Sequence, residues 1–249
     1  AEVSTKARRS LGIGYIGLAH YIAKNKMKYE EKESWQLVNE LSEAFQYYLL
    51  KASNQIAKEK GACPKSLETR YGNGIVPSDT RKTDVDELVK HKERRKWKEL
   101  RKSLKEHGIR NSTLMALMPA ETSAQISNST NGIEPPRSMV SVKQSKHGVL
   151  KQVVPGIHKL KNKYELLWDQ KSPEGYLKIM AVLQKYIDQG ISVNTSYNPI
   201  FFEDEKIPMS VMLQHLIMFY KYGGKQLYYF NTFDGQGEID VHQEDEKKT

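Results

Sequence analysis

Apolar residues recur at helical spacing between Trp35 and Lys60, where Leu37, Val38, Leu41, Phe45, Tyr48, Leu49 and Ile56 share a broad face and Gly61 follows the end. That pattern predicts a long amphipathic helix. Residues 9–25 also read as a helix, despite three glycines, and residues 61–80 read as loop. From Arg81 to Arg110 the apolar stripe thins to Val85, Leu88, Val89, Trp97, Leu100 and Leu104, and Gly108 stands as a stop. This predicts a charged surface helix. Thr113-Leu-Met-Ala-Leu-Met118 differs in kind, because a continuous apolar run between polar flanks suits a strand buried on both faces.

A short polar helix should follow Pro119–Ser123, and Asn131–Pro136 is rich in turn formers. Met139–Lys143 and Val149–Val154 flank Lys146-His147-Gly148 as a hairpin. Ser172-Pro173-Glu174 opens a helix running to about Asp188, with Gly190 as its stop. A strand at Ile191–Thr195, a helix at Pro208–Tyr222, the Gly223-Gly224 stop and a strand at Gln226–Phe230 complete the pattern. Strands alternating with helices imply parallel crossover units and an α/β architecture. Residues 1–233 form one domain in this reading, and the acidic residues 234–249 form a disordered tail.

Composition narrows the class. The chain has 249 residues, 39 Lys+Arg against 30 Asp+Glu, a net charge of +9 and one cysteine. No apolar stretch is long enough for a membrane span and the start lacks the apolar core of a secretory signal, so a soluble, cytoplasmic protein without a membrane partner is expected. One cysteine excludes an internal disulfide framework and a Cys-rich zinc site. Residues 81–110 hold twelve Lys/Arg and six Asp/Glu, so most of the net charge sits there. Acids interleave at helical spacing, as with Glu93 and Lys96 or Glu99 and Lys102, which favours a solvated helix over a nucleic-acid surface.

Candidate chemistry is sparse. Gly12-Ile-Gly14-Tyr-Ile-Gly17 matches the dinucleotide pattern, but Ser4–Ser10 ahead of it cannot be the buried strand that the pattern requires. Glycines allowing close packing of a helix are the favoured explanation. At Pro119–Ser123 a strand ends and a helix begins, offering backbone N–H groups and the Thr122 and Ser123 hydroxyls to an anion. Ordinary capping of the helix by those hydroxyls explains the spacing equally well. The adjacent tyrosines Tyr228 and Tyr229, like Tyr47 and Tyr48, read as packing residues on opposite faces. Seven scattered histidines show no metal spacing, so no metal site is expected. Cys63, without a neighbouring His or helix start, reads as a bystander. Sequons at Asn111, Asn128 and Asn194 carry no weight in a cytoplasmic chain.

The stretch Arg110–Arg137, RNSTLMALMPAETSAQISNSTNGIEPPR, closely resembles the large (alpha) subunit of class Ia ribonucleoside-diphosphate reductase in its enterobacterial and tailed-phage versions. Arg8–Gly14, Gln46–Ser53, Gly61–Pro64, Val153–Pro155, Tyr164–Trp168 and Leu227–Thr232 extend the resemblance to the whole chain up to the tail. It covers only the C-terminal third of the family's subunit. The resemblance implies the C-terminal portion of a ten-stranded α/β barrel with parallel strands and crossover helices. It implies that the turn at Ala120, Glu121, Thr122 and Ser123 holds the substrate diphosphate, although the family usually has Ser where Ala120 stands. It also implies that Tyr228 and Tyr229 form the relay carrying a radical from the small subunit toward the active-site cysteine.

The resemblance implies absences as well. The family's radical cysteine, its flanking Asn and Glu, the reducing cysteine pair and the effector sites all match segments upstream of Ala1. A cysteine pair normally ends the family's tail, and here the sequence ends Asp245-Glu-Lys-Lys-Thr249. No catalytic residue and no cofactor is therefore expected on this chain, the di-iron tyrosyl-radical cofactor being expected on the small (beta) subunit. The leading expectation is a C-terminal half of a split reductase that makes deoxyribonucleotides. Its partners would be an N-terminal large-subunit polypeptide, the small subunit, a ribonucleoside diphosphate, and thioredoxin or glutaredoxin. A truncated or degenerate reductase fragment that binds nucleotide without catalysis, and a basic nucleic-acid-binding module, are the rival readings.

Overall fold

The protein is described by a computed structural model over residues 1–145 and 148–235, with side chains outside 143–150. Four extended segments run parallel in the order 11–15, 113–118, 191–197 and 227–232. Their links are Ile13 to Met115, Leu117 to Ile191, and the paired strands β3 (Val193–Tyr197) and β4 (Leu227–Thr232). The run 113–118 lies at the centre, with Leu114, Met115 and Leu117 buried. A separate antiparallel hairpin joins β1 (Val140–Ser145) to β2 (Gly148–Val153) as the pattern predicts, and residues 146 and 147 of its turn lie outside the described residues. The expected acidic tail lies outside them from residue 236 onward.

Eight α-helices are described: α1 (Glu2–Arg8), α2 (Leu18–Lys24), α3 (Lys32–Lys60), α4 (Trp97–His107), α5 (Glu121–Ile126), α6 (Ile157–Leu160), α7 (Glu174–Gln184) and α8 (Met209–Lys221). The core forms where α7 lies between α3, α8 and β3. Tyr176, Leu177 and every residue from Ile179 to Gln184 are buried, so α7 is covered on all sides. α8 connects β3 to the parallel β4, as a crossover unit requires.

Three sequence expectations are corrected. Residues 11–15 are extended rather than helical, between left-handed Arg9 and Gly17. Leu11 and Ile13 donate to the carbonyls of Thr113 and Leu114 at 3.1 and 2.7 Å, and Ala116 donates back to Ile13. Glycine is needed for that approach, since a Cβ on Gly14 would lie 2.7 Å from the Ala116 carbonyl oxygen. The close packing expected of these glycines is real, but the element is a strand. Gly12 and Gly14 lie within it rather than in a turn after it, so they present no pyrophosphate loop.

The charged segment is helical only over α4 and in a short 3-10 turn at Thr83–Glu87. Between them the backbone finds partners on α3 instead: Lys90 N–H donates to Gln36 Oε1 at 3.0 Å and Arg94 N–H to Glu43 Oε1 at 2.7 Å. The arginines turn inward with it. Arg81 pairs with Asp86, Arg94 with Glu40, Arg95 with Glu43, and Arg101 with Asp79 and Glu93. Neutralised in this way, they do not form the phosphate-facing row that a nucleic-acid module needs.

Helix α3 has the predicted span, but its buried face is more polar than the apolar count suggests. Ser34, Asn39, Ser42, Glu43, Gln46, Ser53 and Asn54 are buried alongside Trp35, Val38, Tyr47 and Leu50, whereas Tyr48 and Ile56 are exposed. Hydrogen bonds offset the desolvation of Glu43 and Asn54. Glu43 accepts from Trp97 Nε1 at 2.8 Å and Arg95 Nη1 at 2.9 Å, and Asn54 Nδ2 donates to the Gly108 carbonyl at 2.7 Å.

Candidate functional site

The central extended run ends at Met118, and α5 begins three residues later with Ala120 at its N-cap position. The turn is pinned by Ala120 N–H donating to Asn131 Oδ1 at 3.2 Å. No side chain caps the helix, so the capping explanation of the Thr122 and Ser123 hydroxyls is not realised. Glu121, Thr122 and Ser123 are all exposed, and only Ala124 of this helix is buried. The two hydroxyls are thus exposed on the first turn, where the helix dipole favours negative charge.

Beside α5 lies a cavity of about 170 Å³ lined by Glu121, Gln125, Asn131, Glu134, Arg137 and Gln152, among others. It is smaller than the few hundred Å³ of a typical small-molecule pocket. Burial pushes the Glu134 carboxyl up from its ordinary value, and a hydrogen bond from Asn194 and the charge of Arg137 act in the other direction. None of Asn131, Glu134, Arg137 or Asn194 was singled out by the sequence. The polar, turn-rich run from Asn131 to Pro136 was the available signal.

Tyr228 and Tyr229 lie side by side on β4, 54% and 58% exposed, with ring centroids 4.4 Å apart at 61°. They do not fill opposite faces of a covered sheet, as packing residues would. The adjacent Tyr229 phenol raises the Tyr228 phenol above its ordinary value. Tyr47 and Tyr48 behave otherwise, the first buried against Trp97 and the second exposed.

Asn194 on β3 connects the two regions. Its Nδ2 donates to Glu134 Oε1 at 2.7 Å, and its Oδ1 accepts the Tyr229 backbone N–H at 3.1 Å. One side chain therefore joins the wall of the α5 cavity to the backbone of the tyrosine pair. Cys63 stays apart from both. It is buried, and burial pushes its thiol up, which keeps it protonated. Among the described residues no group of His, Cys, Asp and Glu could hold a metal ion.

Residues 1–230 match the family described as the ribonucleotide reductase barrel domain. The chain belongs to that family. The chain is 54% identical over 239 residues to the ribonucleoside-diphosphate reductase subunit alpha of Haemophilus influenzae, covering 96% of this chain and 32% of that protein. To the reductase 1 subunit alpha of Salmonella typhimurium it is 53% identical over 235 residues, covering 94% of this chain and 31% of that protein. An enterobacteria phage alpha subunit is 43% identical over 244 residues, covering 97% and 32%. The chain thus spans about a third of the length of these reductase subunits. Its open array of parallel strands is part of the α/β barrel that the family resemblance implied. Among the described residues no helix is long and apolar enough to cross a membrane.

Proposed function

We propose that this chain supplies two parts of a ribonucleoside-diphosphate reductase large subunit: the cradle for the substrate diphosphate and the tyrosine pair that conducts the radical. The diphosphate would sit on the N–H groups of Glu121, Thr122 and Ser123 and on the last two hydroxyls. Ala120 contributes backbone alone, where the family's usual Ser would add a hydroxyl. Phosphate oxygens accept well from such oriented donors. The small cavity beside α5 cannot enclose a whole nucleotide, so the sugar and base would be held by another polypeptide.

Tyr228 and Tyr229 would pass an electron between the small subunit's tyrosyl radical, formed at a di-iron site there, and the reacting cysteine of the N-terminal polypeptide. Ring contact at 4.4 Å supports the close coupling this needs. The observation that carries the reading is Asn194, which ties the relay strand to the α5 cavity and so fixes one relative to the other. Exposed apolar residues on α8 (Met209, Leu213, Leu216, Ile217, Tyr220) and the exposed rings of β4 are surface that partner polypeptides would cover. Thioredoxin or glutaredoxin would return reducing equivalents to the assembled enzyme.

Reconstitution tests this directly. Mixed with an N-terminal large-subunit polypeptide and the small subunit, the chain should restore diphosphate reduction that neither large-subunit piece performs alone. Tyr228→Phe and Tyr229→Phe should each reduce turnover to background while complex formation and substrate binding persist. Full turnover in either variant would remove the relay assignment. Substrate binding unchanged after Thr122→Val with Ser123→Ala, and after Glu121→Pro, would remove the cradle.

A further inference from the structure

A third redox-competent phenol lies inside the fold. Tyr197, the last residue of β3, is 2% exposed, and its hydroxyl shares a hydrogen bond of 2.8 Å with His215 Nδ1. The other imidazole nitrogen, Nε2, meets the exposed Ser172 Oγ at 3.2 Å. The tautomer protonated on Nε2 satisfies both contacts, leaving the Nδ1 lone pair for the phenol. Burial lowers the His215 imidazole below its ordinary value, with Glu174 acting the other way, so the ring is neutral and able to take a proton. Burial also pushes the Tyr197 phenol up to about 12, so this hydroxyl does not ionise by itself at neutral pH.

Other buried phenols have weaker partners. Tyr29 and Tyr164 donate to backbone carbonyls, and Tyr186 donates to the Asn39 amide oxygen. None of these can accept a proton at neutral pH. Tyr71 does meet a carboxylate, Asp188, but that group lies at the opposite, N-terminal end of the parallel segments. Tyr197 is the tyrosine whose hydroxyl meets an imidazole among the described residues. Its ring also stacks on Phe230 at 4.9 Å and 21°, and Phe230 directly follows Tyr229 on β4.

We propose that Tyr197, with His215 as its proton acceptor, is a third redox-active tyrosine, a buried site to which an oxidising equivalent on the Tyr228–Tyr229 pair withdraws when it is not consumed. The inference rests on the relay reading. In this chain by itself a phenoxyl on the pair is open to solvent, whereas one at Tyr197 is enclosed. In the transfer, Tyr197 gives one electron to the Tyr229 phenoxyl, which takes a proton from water at its exposed hydroxyl. The Tyr197 proton moves to His215 Nδ1, and the imidazolium passes its Nε2 proton through Ser172 to solvent. One electron and one proton leave Tyr197, and one of each arrives at Tyr229.

The test is flash oxidation of the whole chain by a ruthenium polypyridyl with a sacrificial electron acceptor, followed by freezing and electron paramagnetic and electron–nuclear double resonance. With isotope-labelled histidine, a phenoxyl coupled to an imidazole nitrogen is expected in the unaltered protein. Tyr197→Phe should remove that component and leave the exposed-pair signal. His215→Gln, whose amide still bonds the phenol but takes no proton, removes the imidazole coupling itself and should lower the total yield of Tyr197 phenoxyl, read with ring-labelled tyrosine against Tyr197→Phe, about tenfold or more. Tyr228→Phe with Tyr229→Phe should lower it by a similar factor. An exposed-pair radical without any nitrogen-coupled partner overturns the proposal and leaves the relay standing, as does a nitrogen-coupled signal undiminished in the double variant. A spectrum with no contribution from Tyr228 or Tyr229 overturns both.

Discussion

Helices α7 and α8 are both apolar along most of their length, and they pack on each other beside β3, yet they end in opposite states. Nearly all of α7 is buried, whereas Phe219 is the buried residue of α8 and Met209, Leu213, Leu216 and Ile217 remain exposed. β4 follows α8 in this respect, with Tyr228, Tyr229 and Phe230 each close to half exposed. The difference teaches that apolar content fixes how much surface a segment wants to bury, while its place in the array fixes whether this chain can bury it. One side of the molecule has a finished core. The side bearing the proposed relay offers surface for other polypeptides.

The comparison breaks most sharply on activity. Tyr228→Phe, on the open side, should drop turnover of the reconstituted enzyme to background with no change in the melting temperature of the chain. A fall in melting temperature of more than a few degrees would mean that the ring supports the fold.

Truncation on the closed side should act in reverse. Leu177→Ala in α7 is expected to cost about 3 kcal/mol of stability in urea unfolding, through lost burial and the cavity it leaves. Leu216→Ala on α8 should stay within about 0.5 kcal/mol, since little is buried there, and weaken assembly instead. Similar losses from the two would erase the distinction. Glu43→Ala should also cost about 3 kcal/mol, because it leaves Trp97 Nε1–H and the Arg95 guanidinium without their buried acceptor.

At the junction of the two sides, Asn194→Leu should cost about 2 kcal/mol through the unmet Tyr229 N–H and Glu134 carboxylate. It should also raise the Glu134 pKa further, because the hydrogen bond from Asn194 lowers it. Carboxyl titration by NMR reads that shift.

The smallest effect is on pH dependence. Burial lowers the imidazole pKa of His20, His91 and His215. The unfolded chain titrates near 6.5, so below that value it holds more protons than the native state. Stability from these groups is fully present above about pH 6.5 and is lost as pH falls through the folded values. Glu134 and Glu165, raised by burial, act oppositely, since the native state holds more protons there and stability falls as pH rises past the unfolded value of about 4.3. Urea midpoints measured from pH 7 to 5 should fall in the unaltered chain relative to those of His215→Gln.

Much of the fold was legible locally. α3, α7, α8, the hairpin and the last two strands follow from period, caps and glycine stops, because each of these signals acts within a few residues. Residues 9–17 and 88–96 were misread for one reason: their backbone partners lie about a hundred and about fifty residues away, on the central run and on α3. The α5 turn was visible as a turn, though spacing alone could not separate anion binding from capping. The exposure of Tyr228 and Tyr229 was not visible, since a strand of this composition is ordinarily covered.

By itself the sequence determined the family and most of the helices and strands, and it holds one cysteine, Cys63. Those properties depend on which residues are present and on short-range spacing. Tertiary structure alone decided that the basic segment turns its arginines inward, that Asn194 ties β4 to the α5 cavity, and that Tyr197 meets His215. Each of these is a contact between segments distant in the chain or a choice of direction for a side chain, and each is fixed when the parallel segments pack and the polar groups between them must find partners.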